Sequence, residues 1–270
     1  MSNSGHENKS AEFFTPQSLR ADMINNLPND FFTTPKHVLE PSCGNGGFVY
    51  DVVYMFYNNL DRRFQTNEKR WKWIVENCIW FVDVLQKNID ATKQLLGDYD
   101  LNYYVGDTLK MDLHGFDLVI ANPPFNHPSR KSGNTLWQFF VKQALNKWLV
   151  NNGYFLCIHP PAWRKPVVND KERNAGMFQL MCHDNTMLCL NINDTKEGKK
   201  VFNAGTQFDW YVIQKHPNAD VDTHINNCYN QEYYDDLKLW SWYPNGQIDF
   251  IQDILFSSTP KSINNIAPYF

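Results

Sequence analysis

Hydrophobic positions along the chain gather into short apolar runs, and between them lie longer stretches in which apolar residues recur every three or four positions. That rhythm predicts strands alternating with amphipathic helices, an α/β fold. Strands are expected in a short run ending at Glu40, in Cys78 to Asp83, Leu101 to Asp107, Leu118 to Ala121, Gly153 to Pro160, Thr186 to Ile192 and Gln207 to Lys215. A first helix is expected after Thr15 as N-cap, with Pro16 at its first position and Leu19, Met23 and Ile24 on its apolar face. Others are expected from about Gly46 to Leu60, after Asp83 through Leu96, and from Thr135 to Val150. The last presents Leu136, Phe139, Phe140, Ala144, Leu145 and Trp148 as a core face. Asp61 to Trp73, charged and aromatic, reads as an insertion or a lengthened helix.

Composition adds bounds. With 43% hydrophobic and 15% aromatic residues, 270 residues can bury a full core and leave material for a smaller appendage. Charge is close to balanced, 25 basic against 29 acidic residues, so any basic footprint must be local. The six cysteines form no C-x-x-C pair and no zinc spacing, which predicts reduced thiols in an intracellular protein and no metal site. Met1 to Glu12 is polar, and nowhere do 18 apolar residues run together, so neither a signal peptide nor a membrane span is expected.

The candidate chemistry starts where the fourth strand stops. Asn122-Pro123-Pro124-Phe125 ends it abruptly, because neither proline can donate a ladder hydrogen bond. The Asn122 side-chain oxygen and the Pro123 carbonyl can then point into one small space as two neutral acceptors. Such a pair suits an exocyclic aromatic amine, whose lone pair is freed when both N–H bonds are gripped, and Phe125 can stack on the ring. A planar amide is the rival substrate. Glu40-Pro41-Ser42-Cys43-Gly44-Asn45-Gly46 turns from a strand into a helix without the Gly-Lys-Ser/Thr of a triphosphate loop, and Glu40 offers a carboxylate to a cationic ligand. Asp83, at the end of the second strand, is placed to accept ribose hydroxyls. Asp107 ends the third strand as a turn or cap residue or a ligand contact. Three strand-end loops carry basic residues, Arg130 and Lys131, Arg164 and Lys165, and Lys196, Lys199 and Lys200, which predicts a basic rim facing a polyanion.

Taken in order, Phe14-Thr15-Pro16, Glu40-Pro-x-x-Gly-x-Gly46 and Asn122-Pro-Pro-Phe125 resemble motifs X, I and IV of the gamma-type DNA adenine-N6 methyltransferases, over about the first 215 residues. The resemblance implies a Rossmann-like class I methyltransferase fold: a seven-stranded, mainly parallel sheet with one antiparallel strand, plus a small C-terminal extension. It implies S-adenosylmethionine as cofactor, with Phe14, Thr15 and Pro16 at its methionine end. Glu40, Pro41, Cys43, Gly44 and Gly46 would form the loop beneath it, and Asp83, Asp107 and Asn122 would contact it. It further implies double-stranded DNA as partner, with an adenine flipped into a pocket of Asn122, Pro123, Pro124 and Phe125 and flanked by Phe202. Arg130, Lys131, Arg164, Lys165, Lys199 and Lys200 would meet the phosphates. Residues 1–11 are expected as a disordered tail, 12–215 as the catalytic domain and 216–270 as a possible target-recognition region, in a monomer or homodimer, paired with a restriction enzyme or orphan. The tetrapeptide or close variants also occur in RNA adenine methyltransferases and, as Asn-Pro-Pro-Tyr, in protein glutamine methyltransferases, and a methyltransferase fold can also serve as a catalytically silent scaffold subunit, against which the intact Asn122 and Glu40 argue.

Overall fold

The structure is a computed structural model and describes residues 14–125, 135–169, 172, 174–216, 221–248 and 250–252. The expected apolar runs become β1 (Val38–Glu40), β2 (Ile79–Asp83), β3 (Asn102–Val105), β4 (Phe116–Ala121), β5 (Leu149–His159), β6 (Thr186–Asn193) and β7 (Phe208–Gln214). Two more strands, β8 (Thr223–Asn226) and β9 (Glu232–Asp235), extend the same sheet, whose order is β3-β2-β1-β4-β5-β7-β6-β8-β9. The sheet therefore has nine strands where seven were expected. It also has a second reversal: β7 runs antiparallel to β5 and β6, β8 lies parallel to β6, and β9 turns back on β8.

Burial on both faces explains the unbroken apolar runs. In β4, Leu118 and Ile120 pack into one core and Val119 and Ala121 into another. The first core is covered by α1 (Gln17–Ile24), α2 (Gly47–Asn59), α3 (Asn67–Asn77) and α4 (Gln86–Leu96). The second is covered by α5 (Trp137–Gln143) and the π-helical turns Ala144–Trp148 and Gln179–His183. The insertion before β2 is α3, a separate helix capped by Thr66, whose side chain accepts from Lys69 N. Two of its basic residues have local partners: the exposed Arg62 lies over the Trp73 ring at 4.1 Å, and Arg70 donates to Leu60 O at 2.7 Å.

The helix expected from Thr135 to Val150 is corrected in two ways. It tightens into α5, widens into a π turn at Ala144, and passes into β5 at Leu149 with no intervening loop. The strand expected from Gly153 begins at Leu149 instead, and Asn152 within it takes φ 64° where the pairing with β4 shifts register. Trp137, Phe140, Val141 and Ala144 form the buried face at ordinary α-helical spacing, so Phe139 falls off it and is 56% exposed while Trp137 is fully buried. A Lys-rich stretch read as a loop is α6 (Thr195–Phe202), capped by Asp194, whose carboxylate accepts from Lys196 N and Glu197 N. Among the described residues no helix is long and apolar enough to cross a membrane. All six cysteines are free thiols.

Candidate active site

β1 pairs in parallel with both β2 and β4, so the strand order changes direction around it and a crevice opens at the strands' carboxyl ends. That adjacency brings together residues far apart in sequence. The Ser42 hydroxyl, just after β1, donates to the main-chain oxygen of Asn122, just after β4, at 3.3 Å. Thr108, after β3, donates to Pro41 O at 2.6 Å. The result is a cleft of about 470 Å³ whose wall includes Phe14, Thr15, Glu40, Pro41, Cys43, Gly44, Asp83, Asp107 and the whole of Asn122 to Phe125.

Each side chain has a local reason for its position. Asp83 accepts from Gly44 N at 3.0 Å through one oxygen and from Leu85 N at 2.9 Å through the other, tying the glycine turn to the end of β2. Asp107 accepts from Leu109 N at 3.2 Å, capping a short 3-10 turn, and pairs with Lys110. Glu40 is the outlier. It is 2% exposed, and neither carboxylate oxygen has a hydrogen-bond partner. Burial pushes its pKa well above the usual carboxylate value; the Ser42 main chain and Arg20 oppose this, and Asp83 adds to it. An orphaned buried acid costs stability unless a ligand donates to it. Val84 and Leu85 after β2 and Leu109 after β3 add exposed or partly exposed apolar lining.

Thr15 does not cap α1 as expected; the N-cap is Pro16, which has no side-chain acceptor. Thr15 Oγ1 accepts instead from Asn122 Nδ2 at 3.1 Å, across 107 residues of sequence. That contact fixes which way the amide faces, directing Nδ2 to Thr15 and turning the side-chain oxygen away from it. Pro16 and Gly46 stand outside the cleft wall. Gly46 adopts φ 82° and lies under Thr92 of α4, where a Cβ would come within 2.7 Å of Thr92 Oγ1. Arg20, Asn45, Asn88, Leu136 and Phe140 also line the cleft and were not anticipated.

The basic rim is corrected at its centre. Arg164 is 3% exposed, because the turn Pro161–Arg164 folds it back onto Asp209 at the start of β7. Arg164 Nε donates to Asp209 Oδ2 at 2.6 Å and Nη2 to Oδ1 at 3.0 Å, and Trp163 Nε1 adds a third bond to that carboxylate at 2.9 Å. The guanidinium also donates to the carbonyls of Tyr243 and Pro244 and to Asn245 Oδ1, so it pins the segment after β9 to the sheet. It cannot reach a phosphate. Lys165, Lys199 and Lys200 are exposed but lie outside the cleft wall, and Lys200 pairs with Glu197. Arg130 and Lys131 lie outside the described residues, as do the whole tail expected at 1–11 and residues 12 and 13.

Phe202, at the end of α6, is 8% exposed and meets Phe125 edge to face at 6.5 Å. Its placement depends on Gly198, where a Cβ would stand 1.9 Å from Thr206 O and 3.2 Å from Ala204 O. Helix propensity favours alanine over glycine by about 1 kcal/mol. Here Gly198→Ala is expected to destabilise the protein by about 1–3 kcal/mol, as overpacked sites do, measured as the shift in urea midpoint. A stabilised variant would show that α6 does not pack against the 203–206 turn as described. In the second core, His159 stacks on Trp137 at 4.0 Å and bonds Tyr211 OH and Pro160 O. Burial pushes its pKa down to about 3, so it stays neutral.

Comparison with solved structures shows what this architecture is similar to. The chain matches the M protein of the EcoKI type I restriction enzyme with a TM-score of 0.60 at 16% identity, covering 80% of this chain and 48% of that one. It matches a type I restriction-modification methyltransferase subunit from Streptococcus thermophilus with a TM-score of 0.55 at 13% identity, covering 88% and 58%. A chain from a type I restriction-modification system gives 0.61 at 14% identity, covering 82% and 46%. The chain thus spans about half the length of these proteins, and at such identities the likeness is one of fold: an α/β methyltransferase-like sheet. No curated protein sequence matches it. The family model for N-6 DNA methylase matches residues 1–147, the stretch that runs through the first helix, the glycine turn and the Asn-Pro-Pro-Phe loop and supplies the cleft described above. On that match, across more than half of its length, the chain belongs to the N-6 DNA methylase family.

Proposed function

We propose that the cleft transfers a methyl group from S-adenosylmethionine to the N6 amine of an adenine in DNA. The observation that carries this reading is the meeting of Asn122 with the orphaned Glu40 and the glycine turn in one cleft. The residues suit the cofactor. Asp83, in the cleft wall at the end of β2, would accept from ribose hydroxyls, and Val84, Leu85 and Leu109 would line the adenine. Glu40 answers its cationic amino-acid end. When bound, the cofactor would supply a methyl group activated on a sulfonium sulfur, which would take back the electrons of the broken C–S bond, while the proton released by the acceptor amine would pass to solvent.

The chain's part is to make the amine nucleophilic. Asn122 Oδ1 and Pro123 O accept its two N–H bonds and stabilise the positive charge growing on nitrogen. Thr15 holds the Asn122 amide in the orientation this needs. Phe125 stacks on the ring, with Phe202 behind it. Because the amine is paired inside a duplex, the base must swing out to arrive there. The family match and the modification subunits the fold resembles support DNA as substrate. The phosphate contacts fall to Arg130, Lys131, Lys165, Lys199 and Lys200, with Arg164 removed from that group by its burial.

The test offers labelled cofactor with duplex DNA, single-stranded DNA and RNA of matched sequence. Label is expected in DNA. Equal incorporation into RNA would overturn the choice of polymer, and label appearing only in protein would overturn the base as acceptor.

A further inference from the structure

Arg20 lies on α1, five residues beyond Thr15, and reaches into the cleft wall. Its Nε donates to Asp51 Oδ2 of α2 at 2.6 Å, and its Nη1 donates to Thr15 O at 2.7 Å. The guanidinium rests on Gly47, the first residue of α2: a Cβ there would stand 2.7 Å from Nη1 and 2.8 Å from Cζ. Arg20 is therefore held at three points before any ligand arrives. Those bonds use Nε and one Nη1 hydrogen, and among the described residues Nη2 meets no acceptor.

The remaining donors sit at the positive end of a 13-residue helix, where an anion is favoured. The charge-bearing group of the cleft that lacks any hydrogen-bond partner is Glu40, buried at 2% exposure, and Arg20 is close enough to act on its ionisation. A ligand that satisfies both carries a carboxylate and an ammonium on one carbon, as the end of an α-amino acid does. A planar guanidinium with parallel N–H bonds is also the best available fit to a carboxylate.

We infer that Arg20 anchors the carboxylate of the methyl donor's amino-acid end while Glu40 takes its ammonium. This rests on the cofactor reading given above and adds to it the residue that distinguishes an amino-acid tail from a plain amine. Asp51 and Thr15 act as positioning groups for the guanidinium. The glycine at position 47 leaves the room the guanidinium occupies.

The test is calorimetric and needs no turnover: S-adenosylmethionine and its decarboxylated analogue are titrated into the full chain and its variants. The wild type is expected to prefer the intact ligand by ~10- to 100-fold, the worth of a charge-assisted hydrogen-bonded pair. Arg20→Gln is expected to lose that preference through weaker binding of the intact ligand alone, with the decarboxylated ligand bound as before. Asp51→Asn, which removes the carboxylate's charge but leaves an amide oxygen to accept from Arg20 Nε, is expected to retain the preference. An equal loss for both ligands in Arg20→Gln, or an intact preference, would overturn the assignment of Arg20. A wild type that binds neither ligand would overturn the cofactor reading itself.

Discussion

Asn122→Ala is expected to lower methyl transfer by ~10²- to 10³-fold, the usual effect of removing one preorganised electrostatic partner from a reacting centre, while cofactor affinity changes little. The split follows from the geometry. Asn122 reaches the cleft from the end of β4, and its main-chain oxygen, which bonds Ser42, survives the substitution. The glycine turn and Asp83 keep their own bonds to one another. What is lost is the side-chain acceptor that Thr15 orients from 107 residues away. Single-turnover transfer and calorimetric titration of the same preparation check both halves. A variant that transfers at the wild-type rate with cofactor bound would remove Asn122 from the chemistry.

The second large effect concerns stability. Arg164→Ala is expected to destabilise the fold by ~3–5 kcal/mol, the range for stripping one partner from a buried pair. Asp209 is fully buried, and its bonds to Arg164 are its main compensation. The same change frees the carbonyls of Tyr243 and Pro244, so the segment after β9 loses its anchor. Against a total stability of about 5–15 kcal/mol, this is a large fraction. The deficit should narrow as pH falls, because burial already holds the Asp209 pKa above the usual carboxylate value and the stranded acid becomes neutral on protonation. Urea unfolding at several pH values tests this. A deficit below about 1 kcal/mol, the worth of an exposed pair, would mean that Arg164 is not buried as described.

These two residues also show where sequence reading succeeds and where it stops. The place of Asn122 just past the end of β4 was legible because two prolines must end a strand and the residue before them must leave the sheet, a local necessity. Arg164 was not, because its partner is 45 residues away on a strand that returns antiparallel, and no periodicity in the chain records that pairing. Thr15 misled for the opposite reason: its place before a proline has a good local explanation as a cap, and the contact with Asn122 that uses it is tertiary. The helix α6 had a readable cue in Asp194 and Glu197 three residues later, but lysines drew the reading towards a solvated loop. Arg20 had no cue, since one arginine on an amphipathic helix looks like any solvated charge. The strands β8 and β9 are short, with alternating exposure, and add to an edge whose position only the assembled sheet defines.

The most direct test of the central claim identifies the product atom. Unmethylated duplex DNA is incubated with S-adenosylmethionine and the wild-type chain, digested to nucleosides and analysed by mass spectrometry, with Asn122→Ala alongside. The account predicts N6-methyldeoxyadenosine from the wild type and its near absence from the variant. Methylation found only on another base, or equal N6-methyladenine from both proteins, would contradict it.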